Sequence, residues 1–199
     1  MDARELSIPG AWLFAAPVLS GERGEHVEPY SAPEFTAVVG RPLSLGHLNV
    51  TVARAGSVFG VHYGDVPPGQ AKYLHCVSGA VWDVVVDLRV GSPTFGRWEG
   101  VVLDDVDRHA VYLGEGLGHA YVSLADRSTL VYVCSQPFMP DREHSLNPMD
   151  PALGIAWPRS GRDGTPLTLT LGRRDGSAPT LEEARAAGRL PVLTEEARG

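Results

Sequence analysis

Residues 80–90 read AVWDVVVDLRV, and the fold turns on this stretch. Its even positions, Ala80, Trp82, Val84, Val86, Leu88 and Val90, are all apolar, which in an extended chain sets one whole face against a core. The odd positions, Val81, Asp83, Val85, Asp87 and Arg89, form a mixed face. Such a face suits the wall of a cup-shaped polar site, and an ordinary half-exposed strand has the same pattern. Further short β-type runs lie on both sides: LSLGHLNVTVAR (43–54), KYLHCV (72–77), WEGVVL (98–103), HAVYL (109–113), HAYVSL (119–124) and TLVYVC (129–134). Glycine and proline separate them. VPPGQ (66–70) and SPTFG (92–96) read as tight turns, because proline presets φ and glycine accepts a positive one. This cadence predicts an antiparallel sandwich or barrel and argues against strand–helix alternation.

Only the tail reads as helical. Thr180 and Glu183 have capping-box spacing, which predicts a short helix over 181–187 ending at Gly188. SLNPMDPALGIAWP (145–158) is too rich in proline for a regular internal element and is expected to cross the surface or close the end of a barrel. With no repeat, linker or low-complexity tract, the 199 residues are expected to form a single domain, 1–199.

Composition narrows the function. A formal charge of −7 argues against a nucleic acid polymer or an anionic membrane as partner. The opening MDARELSIPG has no apolar run of signal length, and no segment approaches the roughly 18 apolar residues that span a bilayer. The two cysteines, Cys76 and Cys134, each sit in an apolar run and read as buried free thiols, which fits a cytoplasmic protein.

Several side chains carry possible chemistry. His62 and Lys72 flank a Gly/Pro turn, where a histidine can move a proton at neutral pH and an ammonium can stabilise developing negative charge. A lone histidine at a strand end is more often a surface or hydrogen-bonded residue. His119 follows GEGLG at the start of a strand, and Tyr132 lies in an apolar strand as either a core tyrosine or an acid facing a cavity. Asp175, in GRRDG, reads locally as a turn aspartate. GVHYGDVPPGQ (60–70) has one histidine and no glutamate, so no metal site is expected. No P-loop or dinucleotide fingerprint occurs either.

Taken in order, the motifs SGERGEHVEPY, GVHYGDVPPGQAKYLHCVSGAVWDVVVDLRVGSPTFGRWEGVVL, VYLGEGLGHAYVSL, PDREHSLNPMDPALGIAWP and LGRRDGSAPTLEEA resemble the dTDP-4-dehydrorhamnose 3,5-epimerase family. The resemblance touches most of residues 18–183. It implies an all-β, cupin-like antiparallel jelly-roll barrel with short peripheral and C-terminal helices, forming a homodimer whose N-terminal region contributes at the dimer edge. It further implies an isomerase that needs no cofactor and inverts C3 and/or C5 of a dTDP-linked 4-keto-6-deoxy sugar. Carried over by motif, His62 is the general base, Asp175 its orienting carboxylate, Lys72 the conserved lysine and Tyr132 the acid on the opposite face. His119 lies near the substrate, with Asp83 as its partner. Arg23, His26, His47, Asn49, Phe59, Phe138 and Glu143 fall on binding positions.

Phe59 stands where the family has a phosphate-binding arginine, and a phenyl ring makes no charged, bidentate bond. Three readings of this change remain open: a shifted substrate, a phosphate contact taken over by Arg54, or weaker catalysis. A related enzyme on another keto-sugar and a non-catalytic sugar-nucleotide-binding dimer are the alternatives to the epimerase.

Overall fold

The structure is a computed structural model that describes residues 1–193. The strands are β1 (Asp2–Glu5), β2 (Ala11–Ala15), β3 (Leu19–Gly21), β4 (Gly24–His26), β5 (His47–Ala53), β6 (Ser57–Gly64) and β7 (Lys72–Ser78). They continue as β8 (Ala80–Asp87), β9 (Trp98–Asp104), β10 (Ala110–Leu113), β11 (Leu117–Ser123), β12 (Ser128–Cys134), β13 (Glu143–Ser145) and β14 (Thr170–Leu171). Three helices, α1 (Ala32–Val39), α2 (Arg173–Gly176) and α3 (Leu181–Ala186), lie at the periphery. Two sheets face each other, one ordered β1-β2-β10-β7-β12-β5 and the other β13-β6-β11-β8-β9. Their pairings are antiparallel, and the only parallel strand pairing described is the short β14 beside β6. The result is a cupin-like jelly roll, with β3 and β4 forming a separate hairpin.

The alternation of residues 80–90 is realised in β8, but both of its faces are buried. Val81 and Val85 look inward, where they pack with Leu74, Cys76, Leu103, Leu113 and Leu130 between the two sheets. Val84, Val86 and Leu88 look outward and form a second core with Val58, Val61, Leu146, Leu153, Trp157 and Ala184. The even, apolar face thus packs outside the barrel, and the mixed face lines its interior. SLNPMDPALGIAWP supplies Leu146, Leu153 and Trp157 to that outer core, so it blankets a sheet face instead of closing the barrel end. Trp82 is held edge-on between Trp98 and Trp157, with centroids 5.7 and 5.6 Å away. Each fully buried aliphatic chain in these layers contributes on the order of 1.5–3 kcal/mol.

α3 has both halves of the Thr180–Glu183 capping box, as the spacing predicts. Helix α1 is a correction to the reading of a helix in the tail alone. Its signals stand in SAPEFTAVVG (31–40): Pro33 in the first turn and Gly40 closing the helix at φ 83°. It drops Phe35 onto Phe14, Tyr73 and Tyr112 on the outer face of the first sheet. The helix leaves the far end of that face bare. On edge strand β5, Leu48, Val50 and Val52 are 55%, 59% and 53% exposed, an apolar row that a free edge seldom shows to water.

Asp87 and Arg89, from the mixed face, lock the β8–β9 turn. Arg89 donates to both Asp87 oxygens at 2.8 and 2.9 Å, while Ser92 and Thr94 donate to Oδ2 at 2.6 Å each. Burial pushes the Asp87 carboxyl up, but these bonds outweigh it and hold the group below the usual carboxylate range. Its stabilisation is therefore complete above the unfolded pKa of about 3.9 and is lost as pH falls through the folded value. Asp87→Ala strands a buried guanidinium and is expected to cost about 3–5 kcal/mol in urea unfolding at pH 7. A loss under about 1 kcal/mol would mean that water or another acceptor rescues Arg89.

Candidate active site

The site begins with an irregularity in β6. Across β6 and β11 the Cα partners are His62 with His119 and Phe59 with Tyr121, so three steps on one strand match two on the other. The extra residue is a β-bulge. Strict alternation would set Phe59 and His62 on opposite faces, and the bulge turns both toward the barrel interior. Gly60 absorbs it at φ 105°, where a Cβ would sit 2.4 Å from the His119 carbonyl oxygen, so no other residue fits.

The bulge also frees the Gly60 amide from the ladder, and Asp175 takes it up. Gly60 N–H donates to Asp175 Oδ2 at 3.1 Å, while Oδ1 lies 2.8 Å from His62 Nε2. Asp175 is buried on the single turn of α2, 113 residues along the chain from His62. A carboxylate at Nε2 assigns the proton to that nitrogen and leaves the lone pair on Nδ1, which has no protein partner among the described residues. Burial lowers the His62 pKa, Asp175 opposes that, and Lys72 and Arg174 add to the lowering. For Asp175, burial works upward, but the bond and charge of His62 and the Gly60 amide bring it below its ordinary value. The pair at neutral pH is therefore a neutral imidazole held by an anionic carboxylate.

Lys72 opens β7 opposite Cys134 on β12 and is 7% exposed. Burial lowers its pKa against the influence of Cys134, Glu143 and Asp83, and among the described residues it has no ion-pair partner. His119 Nε2 lies 2.7 Å from Asp83 Oδ2, and Asp83 is fully buried with Oδ1 unpartnered. Tyr132 is on the facing sheet, opposite Asn49 in register, and burial pushes its phenol above the ordinary value. Four groups that sequence alone left scattered thus converge on one interior.

The binding positions divide. His47 Nδ1 is 2.7 Å from the Gln136 carbonyl and shares with Asn49 the inner face of β5. Glu143, on β13 beside β6, accepts from Gln70 Nε2 at 3.2 Å, and Phe138 stands in a nearby loop, 57% exposed. Phe59 stacks on Tyr121 with centroids 4.7 Å apart and 13° between planes. Arg23 and His26 are not brought to the site. They belong to the wholly exposed β3–β4 hairpin, which Glu25 ties to Arg108 at 3.1 Å. Tyr121 escaped the sequence reading. It was reachable by alternation, since it lies two residues beyond a candidate on the same strand, His119.

Among the described residues no three His, Cys, Asp or Glu side chains converge to hold a metal ion, and no helix is long and apolar enough to cross a membrane.

Fold and interior together define a cupin-like jelly-roll barrel equipped for acid–base chemistry on an enclosed molecule. The sequence profile of dTDP-4-dehydrorhamnose 3,5-epimerase matches residues 5–183, and the chain belongs to that family. It is 50% identical over 167 residues to a dTDP-4-dehydrorhamnose 3-epimerase of Streptomyces niveus, covering 84% of this chain and 79% of that one. The rmlC epimerase of Mycobacterium tuberculosis superposes with a TM-score of 0.93 at 45% identity, covering 100% and 96% of the two chains. A 3'-monoepimerase from Streptomyces bikiniensis in complex with dTDP-quinovose gives 0.89 at 47% identity, covering 98% and 94%.

Proposed function

We propose that this protein epimerises a dTDP-linked 4-keto-6-deoxyhexose at C3, C5 or both, as a homodimer. The observation that carries the reading is the opposition of His62, whose Nδ1 has no partner among the described residues, to Tyr132 on the facing sheet. A ketone at C4 acidifies the hydrogens at C3 and C5, because the carbanion delocalises into an enolate. His62 Nδ1 takes the hydrogen from one face, and Asp175 holds the ring and stabilises the imidazolium. Lys72, a buried donor with no ion-pair partner among the described residues, meets the enolate oxygen, where preorganised charge counts most. Tyr132 returns a proton to the other face, which inverts the centre. A base, an acid and an oxyanion donor suffice, so the reading calls for no cofactor. The two buried free thiols suit a cytoplasmic setting.

The homodimer rests on the bare apolar row of β5 and on the outward hairpin. A second copy packed there covers Leu48, Val50 and Val52 and receives Arg23 and His26. Phe59 offers phosphate no bond, so the diphosphate falls to Arg23 of the partner.

The test is proton NMR of dTDP-4-keto-6-deoxyglucose with the protein in deuterated water, following C3 and C5 separately. Deuterium at either carbon together with inverted product supports the reading. Binding without exchange would favour a different keto-sugar or a binding role.

The pH profile supplies a second check. Because the base must be unprotonated, kcat/KM is expected to rise with pH through the His62 pKa, which lies below the ordinary 6.5. Asp175→Asn removes the influence that raises this pKa, so the acid limb moves to still lower pH while the plateau falls. An acid limb that stays in place would assign it to another group.

A further inference from the structure

We propose that Gln70 is a positioning residue that holds Glu143 away from Lys72 and so keeps the ammonium free for the enolate oxygen of the substrate; this rests on the epimerase reading above. Gln70 is 7% exposed, and its Nε2 donates to Glu143 Oε1 at 3.2 Å. The bond joins the two sheets across the barrel. Gln70 and Lys72 point inward from the start of β7, because Ala71 and Tyr73, which alternate with them, pack in the outer cluster with Phe14 and Phe35. Glu143 comes from the other sheet. Across β13 and β6 it stands opposite Gly64, and Ser145 stands opposite His62, so Glu143 shares the inward face of the base. A carboxylate only accepts, which sets the amide nitrogen of Gln70 against it.

The backbone on both sides is fixed independently of this bond. Asp65 N–H donates to the Arg142 carbonyl at 3.0 Å, and Asp65 Oδ1 lies 2.6 Å from His144 Nε2, so the VPPGQ turn is tied to the residues that flank Glu143. Ala71 N–H donates to Ser135 Oγ at 2.8 Å. Gly64 leaves room for the Gln70 stem, since a Cβ there would stand 3.5 Å from Gln70 Cβ. What the amide adds is the direction of the Glu143 side chain. Gln70 and Lys72, two residues apart on one face, lie about 6.6 Å from each other along the strand, within the sweep of a lysine and a glutamate. Lys72 nevertheless makes no ion pair among the described residues, and Glu143 is bonded to Gln70 instead. Burial lowers the Lys72 pKa, and Glu143 is among the neighbours that oppose it, which places the carboxylate close by. An ammonium paired with Glu143 would meet the enolate with its charge already neutralised.

Gln70→Leu removes the bond with little change in volume and lets Glu143 swing onto Lys72. At saturating substrate, kcat and deuterium exchange at C3 and C5 are expected to fall together by about 10–100-fold, part of what a lost oxyanion donor costs. Glu143→Gln supplies the control, because a neutral amide leaves the ammonium its charge. In that background Gln70→Leu is expected to change both rates by less than about twofold. The binding cost of Glu143→Gln itself falls on KM and is common to both proteins that carry it. Circular dichroism and a thermal melt establish folding, and Gln70→Met, unbranched like glutamine, takes the place of Gln70→Leu should the latter not fold. Equal losses in the two backgrounds would make Gln70 a packing residue and overturn the proposal, as would no loss in the wild-type background or a rise in KM with kcat unchanged. These outcomes leave the epimerase reading intact, whereas wild-type protein that exchanges at neither carbon would overturn both.

Discussion

His62→Ala is expected to abolish deuterium exchange at both C3 and C5, by about 10²–10⁴-fold or to the detection limit, in a protein that still folds. The size follows from the two things the imidazole does. In the proposed mechanism it is the nitrogen base opposite Tyr132, and it is the group through which Asp175 acts. The Asp175 carboxylate alone is a poor substitute, because it is spent on the Gly60 amide and held on α2 behind the imidazole. The fold survives for a local reason. His62 is only partly buried, and its loss leaves one Asp175 oxygen to find water, a cost of about 1–3 kcal/mol against a barrel held by three separate apolar clusters. Circular dichroism and a thermal melt establish folding, and NMR in deuterated water gives the exchange. A folded His62→Ala protein that exchanges at the wild-type rate would remove His62 from the base role and shift suspicion to the His119–Asp83 pair.

The architecture was legible because β structure writes itself locally. Most of the major strands appear as apolar runs bounded by glycine and proline, and the helix at 181–186 shows its capping box in four residues. Alternation alone could not tell which face of β8 looks into the barrel, since a strand buried on both sides has two apolar partners and only topology assigns them. The His62–Asp175 pair was beyond local reading for another reason. Nothing in GRRDG distinguishes a turn aspartate from one that crosses to β6, and a two-residue count sets His62 and Phe59 on opposite faces until the bulge at Gly60 breaks it. The family resemblance supplied that pairing where periodicity stopped. Helix α1 is different, because proline at its start and glycine at its end were both visible in SAPEFTAVVG.

Two impaired variants are expected to complement each other, at low substrate, when their subunits are mixed. The pair is His62→Ala and Arg23→Ala. The expectation comes from the two faces of β5. Its inner face carries His47, Asn49 and Thr51 into the site, and its outer face carries Leu48, Val50 and Val52, which this chain leaves bare. The hairpin with Arg23 is tied to Arg108, beside His75, whose residue neighbours alternate into the barrel while it faces out. Arg23 is thus presented away from its own cavity and toward whatever covers that row. If a second copy does, each site takes its base from one chain and its phosphate-binding arginine from the other. Arg23→Ala should then raise KM about 10–100-fold, as expected for a lost charge-assisted bond to phosphate, with little change in kcat. In a mixed dimer the barrel of the Arg23→Ala chain has its own His62 and an intact Arg23 from the His62→Ala chain. Random assortment makes half the dimers mixed and one of their two sites whole, so about a quarter of all sites recover wild-type kinetics at low substrate. Co-expressed, differently tagged chains purified as the mixed species sharpen the comparison. Should the mixed dimer show only the residual rate of Arg23→Ala, the arginine serves its own barrel or none. A protein monomeric by sedimentation at working concentration would dispose of the cross-subunit site altogether.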